Sequence, residues 1–234
     1  MITLGIDLSS QPKDTAACLV EWDGDRVTAR EAVLHCDDAT LDGLIRLADA
    51  VGIDAPLGWP EAFVRAVGGW SATTWDDAEF QKSLRLRLID RFVQTHTRLV
   101  PLSVSTDRIG LPAMRAMALL ARHGVTDRSG GAGKFFEVYP AGSLKQWGLA
   151  PRGYKGADNL HARRALLADL RCLLPALLAD DAFAESDHAL DALIAALTTR
   201  MAAQKETHAV PDEQVAIARI EGWIHLPRQG QGPR

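Results

Sequence analysis

The chain opens on a two-residue alternation. Ile2, Leu4, Ile6 and Leu8 are apolar and Thr3, Gly5, Asp7 and Ser9 lie between them, a pattern that predicts a strand from the first residues. "TAACLVEW" and "RVTAREAVLH" predict two more strands joined at Asp23-Gly24, a dipeptide that favours a tight hairpin. The opening therefore reads as a three-strand antiparallel meander. From Leu41 the period changes to helical spacing, through Leu44, Ile45, Leu47 and Ala48. "VGIDAPLGWP" is then a short apolar run closed by Pro56, Gly58 and Pro60. A strand reached through a helix is most simply parallel to an earlier strand of the same sheet.

From Glu61 to about His123 the pattern is mostly helical, clearest in "SLRLRLIDRFVQTH" and in "PAMRAMALLARHG" from Pro112 to Gly124. "TDRSGGAGK" has loop composition, and "KFFEVYPA" reads as a strand ended by Pro140. Arg163 to Leu178 is helical, with Pro175 bending or breaking its end. "ESDHALDALIAALTTRMAAQ" is the most regular helix, capped by Ser186 and carrying Leu190, Leu193, Ile194, Leu197 and Met201 on one face. "EGWIHLP" reads as a short strand and residues 227–234 as a flexible tail. These elements predict one α/β domain over residues 1–234, with a mostly helical insertion from about residue 60 to 133.

Carboxylates mark the ends of these elements. Asp7 ends the first strand, Asp54 ends the strand of "VGID", Glu137 lies in "FFEV", and Asp187 and Asp191 share one face of the last long helix at i, i+4. Singly, each has an ordinary structural reading: Asp7 caps a turn, Asp54 forms one before Pro56, Glu137 pairs across a strand, and Asp187 improves a helix N-terminus. Asp191 resists that treatment, because it lies inside the apolar run from Ala189 to Leu197. As a set they predict a cation site, since clustered carboxylates repel one another unless protonated or bridged. Hard divalent ions such as Mg²⁺ or Mn²⁺ take oxygen ligands and activate water in phosphodiester cleavage.

Composition narrows the picture without changing it. The 234 residues are 47% hydrophobic and 24% charged, which suits one folded domain rather than a disordered chain. A net charge of −4 provides no general attraction to a polyanion, so any nucleic-acid contact needs a local basic patch. Arg87 and Arg91, within a segment that also holds Lys82, Arg85 and Arg98, are one candidate patch. Arg152 and Lys155 beside Tyr154 are a second, with Tyr154, Trp70 and Trp75 as candidate stacking rings. An i, i+3 pairing of Arg87 with Asp90 on a solvated helix face is the competing reading. Cys18, Cys36 and Cys172 are widely spaced and odd in number, which argues against a disulfide framework. With no apolar run of bilayer length, the expectation is a soluble cytoplasmic protein without membrane contact.

Other motifs fall away. In "SGGAGKF" the lysine is followed by Phe135 and the glycines precede a strand, so a P-loop does not fit. The seven histidines lack zinc spacing; His188, next to Asp187, has a solvated first-turn position as its first reading and a reach to the metal site as its second. Ser9 and Ser10 have no partner base for nucleophilic catalysis.

Taken in order, "GIDLSS", "IDAPLGWP", "FFEVYPA" and "DHALDALIAAL" resemble a widespread bacterial and archaeal family of uncharacterised proteins, described as predicted nucleases of RNase H-like fold. The resemblance extends to "LRLRLIDRFV", "SVSTDRIGLPAMR", "WGLAPRGYKG" and "EGWIHLP", and so covers nearly the whole chain. One departure is Ile89 in Arg87-Leu88-Ile89-Asp90, where the branch usually has threonine. The resemblance implies a mixed central sheet of three antiparallel strands plus parallel ones, flanked by helices. It also implies two-metal-ion hydrolysis of nucleic acid, with Asp7, Asp54, Glu137 and Asp191 as metal ligands and Asp187 as a fifth ligand or a partner of one. Two alternatives stand beside it. One is a catalytically silent binding module on the same fold. The other is an actin-like ATPase or sugar-type kinase, disfavoured because "DLSSQP" lacks a glycine-rich phosphate hairpin.

Overall fold

The computed structural model describes residues 1–69, 83–131 and 133–234. In chain order its elements are β1 (Ile2–Asp7), β2 (Ala16–Asp23), β3 (Arg26–Ala29), β4 (Val33–Leu34), α1 (Asp38–Leu47), β5 (Ala50–Ile53), α2 (Glu61–Gly69), α3 (Leu88–Thr97), α4 (Gly110–Arg122), β6 (Phe135–Glu137), α5 (Pro140–Gln146), α6 (Leu160–Leu173), β7 (Leu177–Leu178), α7 (Asp187–Ala203) and α8 (Val215–Glu221). The strands form a seven-stranded sheet in the order β6-β5-β1-β2-β3-β7, with β4 beside β2. β1, β2 and β3 are the antiparallel meander, while β5 and β6 run parallel to β1. This is the mixed, helix-flanked sheet of an RNase H-like fold.

Alternation along β1 sorts its side chains between two cores. Leu4 and Ile6 pack with Ile53, Leu41, Leu119 and Phe135 beneath α1 and α4. On the other face Cys18, Val20, Leu190, Leu193 and Leu197 pack together beneath α7 and α6. Helix α7 lies against the sheet because β1 and β5 present glycine there. A Cβ on Gly5 would stand 2.1 Å from the Ala192 carbonyl oxygen, and one on Gly52 would stand 1.8 Å from Thr199 Oγ1. With contacts of its first turn to Asp7 and of Thr199 to Gly52, α7 runs antiparallel to β1.

Several elements differ from their sequence pattern. "RVTAREAVLH" breaks after Ala29, and β4 turns back to pair with the start of β2. Pro175 ends α6 outright, and Leu177–Leu178 add a short edge strand parallel to β3. Pro140, expected only to end a strand, is the first residue of α5, where a missing N–H costs nothing. In "EGWIHLP" Glu221 closes α8 and Ile224 bridges Glu137 in parallel. In the last residues, mostly exposed, Gly230 N–H donates to the Gln146 carbonyl at 2.9 Å and Arg234 pairs with Glu206 at 2.9 Å. Among the described residues no helix is long and apolar enough to cross a membrane.

Candidate metal centre at the ends of the central strands

Parallel pairing brings the C-terminal ends of β1 and β5 side by side, the position where open α/β sheets present their chemistry. Asp7 is the last residue of β1, and Asp54 follows β5 directly, its N–H bonded to the Ile6 carbonyl at 2.8 Å. Both have the parity of Gly5 and Gly52 and therefore face α7. That helix, capped by the Ser186 hydroxyl on Ala189 N–H, carries Asp191 to the same place. One ligand oxygen from each of Asp7, Asp54 and Asp191 lies within 4.8 Å of the others, so the three can hold a metal ion.

The surroundings are tuned for charge. Asp191 is buried and accepts from the Tyr154 hydroxyl at 2.7 Å, while the Lys155 ammonium lies 2.6 Å from its other oxygen. Burial pushes the Asp191 carboxyl up to about 6, with Lys155 opposing and Asp7 adding to the rise. Asp54 is pushed well above the usual carboxylate range by burial and then by the Asp7 charge, against Lys155. His188 Nδ1 lies 2.6 Å from Asp7 Oδ2, and that hydrogen bond raises the imidazole above its ordinary value. His188 is thus a member of the site rather than a solvated helix-end residue. Three carboxylates share one ammonium, a balance that an added cation would complete.

Glu137 and Asp187 lie outside this group. Glu137 is in register with Ile53 and, through it, with Ile6, so it points to the sheet face opposite Asp7 and Asp54. There Arg87 receives it. All five N–H groups of that guanidinium are used: Nε and Nη2 on Asp90 at 3.2 and 2.9 Å, Nη1 and Nη2 on Glu137 at 2.8 and 2.6 Å, and Nη1 also on the Glu221 carbonyl at 2.9 Å. Glu137 further accepts from Leu57 N–H at 2.9 Å. Asp187 accepts from Gly156 N–H at 2.8 Å, which anchors the turn bearing Tyr154 and Lys155. Burial opposes its ionisation, yet the Gly156 N–H and neighbouring cations hold its carboxyl below the usual range.

The basic candidates separate in the same way. Arg87 is 1% exposed and bonded to carboxylates: the i, i+3 pair with Asp90 expected from sequence does form, but buried rather than on a solvated face, and the guanidinium is not free for a phosphate. Arg91 is exposed on α3. Arg152 is exposed and lines, with Asp7, Asp54, Lys155 and His188, a cavity of about 590 Å³. Tyr154 is buried with its hydroxyl on Asp191, so its ring is not a stacking platform. Trp70, Trp75 and Lys82 lie outside the described residues.

Sheet order and acidic strand ends together define an α/β protein of RNase H-like fold with a carboxylate trio at its centre. The chain belongs to the DUF429 family, described as proteins of unknown function, whose family model matches residues 5–216. Among solved structures it is similar to one described as "Thermus thermophilus RuvC structure", at 15% sequence identity and a TM-score of 0.36, covering 88% of this chain and 97% of that chain. None of the curated proteins matches it.

Proposed function

We propose that the protein hydrolyses nucleic-acid phosphodiester bonds with Mg²⁺ or Mn²⁺ held by Asp7, Asp54 and Asp191. The observation that carries the reading is the convergence of those three carboxylates within 4.8 Å, with Asp54 and Asp191 both disfavoured as anions by burial. Such a donor set fits a hard divalent cation, which takes carboxylate oxygens in preference to other ligands. When bound, such an ion supplies Lewis-acid polarisation of a phosphoryl oxygen and an activated water.

The chain's own residues do the positioning. Tyr154 fixes one oxygen of Asp191, His188 orients Asp7, and Arg152 with Lys155 places positive charge where a phosphate backbone would pass. Glu137 acts at one remove, because its hold on Leu57 N–H fixes the loop that follows Asp54. Asp187 does the same for the Gly156 turn. A second ion, as two-metal-ion hydrolysis uses, would draw on substrate oxygens, since Glu137 and Asp187 are already bonded elsewhere.

Thermal unfolding with and without millimolar Mn²⁺ tests the reading. An ion at about 100 times its dissociation constant adds about 2.7 kcal/mol. For a chain of this length that raises Tm by roughly 5–10 °C. The shift is expected in the wild type and not in Asp54→Asn, with cleavage of nucleic acid following the same pattern. The Lys155–Asp191 ion pair favours a second reading, a binding module in which the ammonium alone neutralises the acids. No shift with either ion, even with nucleic acid present, would establish that module instead.

A further inference from the structure

The cavity beside the acidic trio is shaped for something other than a sugar-phosphate backbone alone. Its volume of about 590 Å³ falls in the roughly 300–1,000 Å³ of pockets that enclose one small ligand. Besides the acids, the basic residues Arg87, Arg152, Lys155 and His188, and Ser9, its wall carries apolar surface from Pro56, Leu102, Ile109, Pro112, Tyr139 and Ile224. Leu102 is 55% exposed and Tyr139 half-buried, so apolar surface is left open to the cavity at a site otherwise built of charge. Arg152 forms no hydrogen bond or ion pair among the described residues, which leaves its guanidinium available to a phosphate at the mouth.

We propose that this cavity receives one unpaired nucleotide of a strand, its base against Tyr139, Leu102 and Ile109 and its phosphate between Arg152 and the acidic trio. The proposal rests on the nuclease reading above and narrows it to a substrate class. A base within a duplex is stacked on both faces, and its face reaches the wall of a cavity only when it leaves the stack. An unpaired base offers a free aromatic face, which rings and apolar side chains bind without regard to sequence. The carboxylates repel a phosphate, and Arg152, Lys155 and the cation offset that repulsion, which leaves the apolar part of the wall to the base.

The test is fluorescence anisotropy of the full chain in Ca²⁺ with three end-labelled oligonucleotides: a short single strand, the same strand in a blunt duplex, and the single strand with one abasic position. The single strand is expected to bind about tenfold or more tightly than the duplex, a preference of the size that base stacking supplies. Leu102→Glu and Tyr139→Ala are each expected to remove most of that preference. Leu102 is exposed, so its replacement leaves the fold intact. A duplex that binds as tightly as the single strand would overturn the proposal, as would a preference that survives both substitutions. The Mn²⁺-induced Tm shift of the same variants reports on the trio alone. A shift retained while the strand preference is absent condemns the base pocket, and a shift absent from the wild type condemns the metal centre beneath it.

Discussion

Two acidic centres point to opposite faces of one sheet and border the same cavity, and their hydrogen bonding differs. In the first, Glu137 and Asp90 meet Arg87, whose five N–H groups all find acceptors. In the second, Asp7, Asp54 and Asp191 converge on one lysine and one histidine, with Asp54 and Asp191 raised well out of the usual carboxylate range. The first arrangement is complete in itself and asks for no ligand. Burial raises the Glu137 carboxyl of the first centre too, so a raised carboxyl does not separate them; in the second, three carboxylates within 4.8 Å of one another share one ammonium and one imidazole. Acid count does not distinguish them; the state of their hydrogen bonds does.

The largest expected effect lies in the completed centre. Arg87→Ala strands two buried carboxylates and should cost about 3–5 kcal/mol. Differential scanning calorimetry should show Tm falling by about 10 °C or more. Arg87→Lys should recover little of this, since an ammonium cannot span both carboxylates in the planar geometry of a guanidinium. A near-neutral Arg87→Ala would erase the contrast between the centres.

Asp54→Asn should act with the opposite sign. Removing one of three repelling charges should stabilise the metal-free protein by about 1–2 kcal/mol, or roughly 2–8 °C, while abolishing the response to Mn²⁺. Loss of stability in the metal-free variant would mean that the trio is a structural network like the other.

The pH dependence sharpens the comparison further. The Asp191 carboxyl, at about 6 in the folded protein, lies above its ordinary value near 3.8. The folded state therefore holds that proton more tightly than the unfolded chain. The stability it contributes is full below about pH 4 and is lost as pH rises through about 6. A cation competes with the same proton, so the Mn²⁺-induced Tm shift should be small at about pH 5 and full by about pH 7.5. A shift independent of pH would remove Asp191 from the ion's ligands.

The smallest effect belongs to Lys155, whose side chain is 60% exposed although its ammonium touches Asp191. Lys155→Met should change metal-free stability by less than about 1 kcal/mol. By calorimetric titration it should strengthen Mn²⁺ binding several-fold, because no ammonium then has to move aside. Unchanged Mn²⁺ affinity would show that Lys155 does not contest the cation's place.

Much of this was legible in the sequence, and the exceptions have physical causes. The alternation of Ile2 to Leu8 correctly places β1, the Asp23-Gly24 turn correctly joins β2 to β3, and the apolar setting of Asp191 marks it as unusual. The side on which Glu137 lies was not legible. Strand parity fixes a face only once the register of β6 on β5 is known, and a slip of one residue reverses it. Short elements escaped for want of a period: β7 is a two-residue strand and α5 has seven residues. Tyr154 and Lys155 invited a nucleic-acid reading because an aromatic-basic pair commonly has one. A better signal was the pair of glycines around them. Gly153 and Gly156, with φ of +90° and +94°, turn the chain sharply and direct both side chains inward to Asp191.

The aperture of the metal centre is set by what β1 and β5 lack. Because Gly5 and Gly52 have no β-carbon, the backbone of α7 rests on the sheet itself, and Asp191 arrives at the depth of Asp7 and Asp54. An alanine at either position would raise the helix by about the thickness of a methyl group. The ring of oxygens would open although every acid remained in place. Two positions with no side chain thus act as spacers, and they gauge the fit of an ion they never touch.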